Sequence, residues 1–147
     1  MKNRVFRRGD IYNINLGIRF GTSIQSGYRP CIVVSNRKNN EYASTLTIIP
    51  CTSKVKRVDL PTHVQINPDD VYGYLRKKTI ALAEQITTID KRYVGNKIGF
   101  IKEDSEVFTQ IMDAVKVQIG ATFKWTLSWK NAQNMLDKDW RNAYTIM

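Results

Sequence analysis

The side chains able to do chemistry are few, and most of them fall in three short clusters. The first is the loop Thr22-Ser23-Ile24-Gln25-Ser26-Gly27-Tyr28-Arg29-Pro30, the densest polar segment ahead of an apolar run. Pro30 restricts the backbone of Arg29 and so narrows where the guanidinium points. A guanidinium fixed at a strand entrance presents a planar fork to phosphate oxygens, and Ser23 and Gln25 add neutral hydrogen bonds. Taken alone, such an arginine is more often a solvated surface charge. The second cluster, Pro50-Cys51-Thr52-Ser53-Lys54, sets two hydroxyls beside an ammonium, a phosphate-contact set that also reads as an ordinary turn. The third, Glu84-Gln85, places a carboxylate and an amide inside an apolar stretch, where Glu84 either pairs with a cation or accepts a proton.

Other chemistry is limited by what the chain carries. It has one histidine, His63, so no pair of imidazoles can share acid and base roles within one chain. Cys31 and Cys51 form no CxxC pair and join no histidine cluster, which leaves two buried free thiols and no metal site as the expectation.

A chain of 147 residues with 42% hydrophobic and 24% charged residues is enough for one globular domain with a modest core. No apolar run is long enough for a membrane span and the N-terminus has no signal-peptide pattern, so a cytoplasmic protein is expected. Lys and Arg number 23 against 13 Asp and Glu, a formal charge of +10 that favours a polyanionic partner. That charge is uneven. Residues 1–60 carry +8, residues 61–120 carry none and residues 121–147 carry +2, which places the anionic partner against surfaces built by the first 60 residues.

The elements that must hold these clusters are mainly strands. Asp10 to Leu16 alternates polar and apolar residues, and a loop containing Gly17, Gly21 and Gly27 follows. Pro30 to Ser35 is a β-branched apolar run suited to a central strand buried on both faces. Thr45 to Pro50 and Thr62 to Ile66 are further strands, the latter closed by the turn Asn67-Pro68-Asp69-Asp70. Thr79 to Ile89 mixes helix-favouring and strand-favouring residues and, with strands on both sides, is expected to be one strand. Val107, Ile111, Val115 and Ile119 recur at helical spacing with Phe108 and Met112 beside them, and Asp104 or Ser105 is placed to cap that helix. Five or so strands and one amphipathic helix suggest a small barrel with a helix packed on it, a mainly β, α+β architecture over residues 1–120. Residues 121–147 hold Trp125, Trp129 and Trp140 at helical spacings, a helical aromatic-rich extension whose rings cover barrel surface or offer a stacking platform.

Five blocks in register carry a resemblance. Arg8-Gly9-Asp10-Ile11-Tyr12, Ser26 to Asn36, Ile49 to Ser53, Leu60-Pro61-Thr62-His63-Val64 and Leu82 to Asp90 resemble successive blocks of the MazF/PemK (Kid) toxin family from about Arg7 to Gly120. The resemblance implies an SH3-like barrel with a C-terminal helix and a homodimer. It also implies the toxin role in a type II toxin–antitoxin pair: a sequence-selective endoribonuclease (mRNA interferase) cutting single-stranded RNA without metal or cofactor. Its partners would be mRNA and a cognate acidic antitoxin, with no membrane.

Carried over position by position, Arg29 and Thr52 match the family's principal catalytic pair, and Ser23, Gln25 and Gln85 match positions lining its RNA groove. Tyr28, Ser53 and Lys54 flank these and join the expected RNA-binding set. Glu84 takes the place of an acidic residue proposed as base in some members, which pair it with an arginine where this chain has Leu82. Ile24 also departs from the glutamate common at that position, so the base preference is this chain's own. The competing class is a non-catalytic toxin on the same barrel, such as the gyrase-binding CcdB type, or a nucleic-acid-binding regulator. The presence of both Arg29 and Thr52 favours the enzyme.

Overall fold

The computed structural model describes residues 4–54 and 59–121; the tryptophan-bearing segment 122–147 lies outside the described residues. Eight strands and two helices follow in the order β1 (Asp10–Asn15), β2 (Tyr28–Val33), α1 (Arg37–Tyr42), β3 (Thr45–Thr52), β4 (His63–Ile66), β5 (Tyr72–Gly73), β6 (Thr79–Leu82), β7 (Thr87–Asp90), β8 (Val94–Phe100) and α2 (Glu106–Gln118). Every pairing is antiparallel, and the path β4-β6-β3-β2-β1-β8-β5, with β7 also on β3, curls into a half-barrel.

The apolar runs of β2 and β3 place them at the centre of the sheet, and successive side chains of each go to opposite faces. Ile32, Val34, Ile49 and Cys51 join Val107, Phe108, Ile111, Ala114 and Val115 of α2 in one core cluster. Cys31, Val33, Leu46 and Ile48 join Tyr12, Ile14, Leu16 and Val94 in a second cluster on the other face. The helix stripe is met as expected, with Ser105 as N-cap accepting the Phe108 N–H at 3.2 Å, except that Ile119 ends the helix 65% exposed.

Gly9 fixes the chain entry to β1. Its φ is +92°, its N–H donates to the Val33 carbonyl at 2.8 Å and its carbonyl accepts from Ile101. A Cβ there would stand 2.1 Å from the Ile101 oxygen, so only glycine lets the chain enter β1 between the end of β2 and the residue that follows β8.

One expectation is corrected. Residues 79–89 are not a single strand: β6 and β7 are separated by the 3-10 turn Ala83–Gln85. The reason lies in β3, which pairs with β6 at its end (Cys51↔Ala81) and with β7 along its first half (Ile48↔Thr87). Three steps on β3 are matched by six on the other chain, and the excess residues loop out as that turn. The strand β8, the two-residue β5 and the short helix α1 add to the five strands read from the sequence.

The cysteines are free and buried, as expected. Burial pushes the Cys51 thiol from an ordinary 9.0 up to about 12 and raises Cys31 further, with Cys51 adding to the effect. Burial, then the Asp10 carboxylate, raises the Tyr12 phenol from 10.0 to about 12. For all three the folded state holds its proton more tightly than the unfolded state, so the stability they contribute is complete below about pH 8.5 and is lost as pH rises toward 12. The urea midpoint is therefore expected to fall steadily between about pH 9 and 11, and Cys31→Ser/Cys51→Ser should flatten that fall relative to its own value at pH 8.

Candidate active site

The three clusters meet at one end of the sheet. Cys31 of β2 faces Pro50 of β3, and continuing that register by two residues sets Arg29 across from Thr52. Both belong to the face that carries Cys31, Val33 and Ile48 further along. Arg29 is half-buried, and its Nε donates to the Ser26 carbonyl at 2.6 Å. No other hydrogen bond is made by this guanidinium among the described residues, so the stem is held by the loop while the two terminal nitrogens remain available as a fork.

Thr52 is only 2% exposed. Its Oγ1 accepts the Lys54 N–H at 3.2 Å, which bends the chain out of β3 and leaves the hydroxyl hydrogen to donate elsewhere. The second cluster is thus divided: Thr52 is covered, whereas Ser53 and Lys54 are exposed.

The out-looped turn between β6 and β7 is what brings Glu84 and Gln85 to this end. Gln85 ties down the Arg29 loop with both ends of its amide, Oε1 accepting the Gln25 N–H at 2.6 Å and Nε2 donating to the Ser23 carbonyl at 3.1 Å. Ser23 is therefore engaged through its carbonyl, and the residue is exposed. Tyr28 is 58% exposed and lies across Gly95, with its phenol oxygen 3.4 Å from the Asn96 N–H.

Glu84, Gln25 and Gln85 line a depression of about 200 Å³ together with Leu16, Arg19 and Pro50. Glu84 Oε2 lies 2.8 Å from His63 Nε2, while Glu84 Oε1 and Gln25 Oε1 are buried with no hydrogen-bond partner. Buried acceptors without donors are costly, and both of these belong to residues of the depression.

His63, outside the three clusters, holds the Glu84 carboxylate. Strand pairing explains the contact: His63 faces Leu82 across β4–β6, two residues before Glu84, and the turn swings Glu84 back over it. Arg19 is the other residue the clusters did not point to. It adds a cation to the depression from the glycine-containing loop, where no motif marks it. Among the described residues no three His, Cys, Asp or Glu side chains are grouped as metal ligands, and no helix is long and apolar enough to cross a membrane.

Solved structures place this half-barrel in a class. MazF from Deinococcus radiodurans superposes with a TM-score of 0.65 at 20% identity, covering 80% of this chain and 99% of that one. An endoribonuclease in complex with its cognate antitoxin, from a mycobacterial species, superposes at 0.62 with 22% identity, covering 83% and 100%. The fold is that of the MazF toxins. In sequence, residues 7–119 match the family described as the PemK-like, MazF-like toxin of type II toxin–antitoxin systems. The endoribonuclease EndoA of Bacillus subtilis (strain 168) is 33% identical over 115 residues, 78% of this chain and 95% of that protein. The chain belongs to the PemK-like, MazF-like toxin family.

Proposed function

We propose that this toxin is an endoribonuclease that cuts single-stranded RNA at selected sequences without a metal, acting as a homodimer held in check by an acidic antitoxin. The observation that carries the reading is Arg29: a guanidinium fixed through Nε, with its terminal fork free, across the strand pair from Thr52.

The reaction is displacement at phosphorus by the RNA itself. The ribose 2′-OH gives its proton to a base and its oxygen attacks the adjacent phosphate. The bond to the 5′ oxygen breaks, and that oxygen leaves as a hydroxyl after taking a proton from solvent. A 2′,3′-cyclic phosphate remains. Because the RNA supplies the nucleophile, the protein has only to orient it, stabilise charge on the phosphorane and accept one proton. Arg29 takes the phosphorane oxygens through its fork and Thr52 donates its hydroxyl to them. Glu84, held by His63, is the base. Gln25 lines the depression beside the strand, Gln85 keeps the loop in place for it, and Ser23, Tyr28, Ser53 and Lys54 provide the exposed rim that contacts the strand.

The test is cleavage of a long RNA in EDTA, with the products mapped by sequencing their 5′-hydroxyl ends. Recurrent cuts at one short sequence with cyclic phosphate termini are expected. Dependence on added divalent metal would overturn the mechanism, and tight binding of gyrase with no RNA cut would assign the chain to the non-catalytic class.

A further inference from the structure

The positive charge of residues 1–60 does not all converge on Arg29. At the other end of the sheet a groove of about 970 Å³ is lined by Arg4, Arg7, Arg8, Arg37, Lys91 and Arg92, against two carboxylates, Glu41 and Glu103. Its position follows from the topology. Helix α1 leads into Thr45, the first residue of β3, and Lys91 follows Asp90, which faces Thr45, whereas Thr52 ends the same strand. Seven residue steps of strand separate the two ends, about 23 Å.

The groove is a built feature. Arg4 donates to the carbonyls of Val94 and Gly95, and its guanidinium lies over the rings of Phe6 and Tyr12 at 5.3 and 5.2 Å. Lys91 donates to the Asn40 carbonyl at 2.7 Å, and Arg8 binds the Val34 carbonyl and Glu103. Asp10, buried, takes the Arg7 backbone N–H at 2.9 Å. These contacts pin the N-terminal segment onto the sheet and leave the exposed guanidiniums of Arg7 and Arg37 with no hydrogen-bond or ion-pair partner among the described residues.

We propose that this groove is a second RNA-backbone site, holding the single strand that flanks the cut bond. The inference rests on the reading of the chain as an RNA-cutting enzyme. Five of its six cations are guanidiniums, whose forks match phosphate oxygens. Phe6 is 8% exposed beneath Arg4 and Lys91, so its ring gives no apolar anchor to a peptide, and Val5 is the one exposed apolar side chain of the lining. A strand touching both ends falls within the ~4–16 nucleotides that small single-strand-binding barrels cover.

The experiment takes a mapped cleavage site and compares fragments of about 7 and about 30 nucleotides centred on it, using the wild type and Arg7→Gln/Arg37→Gln. The double variant should cut the short fragment with unchanged kcat/KM. Its KM for the long fragment should rise ~10-fold or more, and the slope of log KM against log salt should shrink by about 1.4, the release expected for two lost phosphate contacts. A matching melting curve shows that the variant is folded. An unchanged KM for the long fragment overturns the proposal, as does equal weakening on both lengths. Unchanged RNA kinetics with lost affinity for an oligoglutamate peptide would overturn it in favour of an acidic protein partner. A wild type that cuts neither fragment removes the enzyme reading and this one with it, which separates the two failures.

Discussion

Arg29→Ala is expected to lower kcat/KM for RNA by about 10³-fold or more while the protein stays folded. The size follows from the charge that must be stabilised. A phosphorane carries an additional negative charge on its equatorial oxygens, and removing one preorganised donor to such an oxyanion costs ~10²–10³ in kcat. Arg29 offers two parallel donors as well as a full positive charge, so its loss belongs at or above the top of that range. The fold should tolerate the change because the side chain makes a single hydrogen bond among the described residues, Nε to the Ser26 carbonyl, at a half-buried site. One such bond is worth about 1 kcal/mol. Arg29→Lys separates charge from geometry: it keeps the former and loses the fork, so recovery of only a small part of the rate shows that the planar pair of donors matters. Initial rates on a quenched fluorescent RNA, with melting curves for each variant, decide the matter. A variant that is folded and fully active would exclude Arg29 from the chemistry.

How far the sequence disclosed this site depends on the kind of signal each residue leaves. β2 and β3 were legible because strands buried on both faces are continuous apolar runs, and that alone brings Arg29 and Thr52 to adjacent strand ends. α2 was legible from its stripe and its serine cap. β8 was hidden because Gly95, Lys97 and Gly99 interrupt any alternation, and two of these are dictated by close neighbours: the Tyr28 phenol over Gly95 and the β5 backbone against Gly99. The break between β6 and β7 left no local mark either. It is forced by a register difference on β3, a property of two pairings that no window of residues contains. The His63–Glu84 contact is lost to sequence reading for the same reason. Charge was legible only as a segment. Its excess in residues 1–60 says which stretch of chain carries it and not where, and Arg4, Arg7, Arg8 and Arg37 fold to the end of the sheet away from Arg29, because a strand's two ends are close in sequence and far apart in space.

Glu84→Gln is expected to reduce kcat by ~10²–10⁴ with KM changed only a few-fold, the pattern of a lost proton acceptor and not of a lost contact. The geometry singles out this carboxylate. His63 engages one oxygen at 2.8 Å, and the other is buried without a donor on a depression that Gln25 and Pro50 also line. A ribose hydroxyl that reaches this carboxylate is the one whose proton must go. Glutamine preserves the shape and the bond to His63, so a structural role for Glu84 would survive the exchange whereas a proton-accepting role would not. His63→Gln should cost less, about tenfold, because it loosens the carboxylate without removing it. If the order is reversed, with Glu84→Gln active and the His63 variant dead, the imidazole is the base and the carboxylate its support, the arrangement in which a buried acid fixes an imidazole's tautomer. The pair of variants therefore assigns the proton within the 2.8 Å contact, because the acceptor is the partner whose replacement stops the reaction and its support the partner whose replacement only slows it.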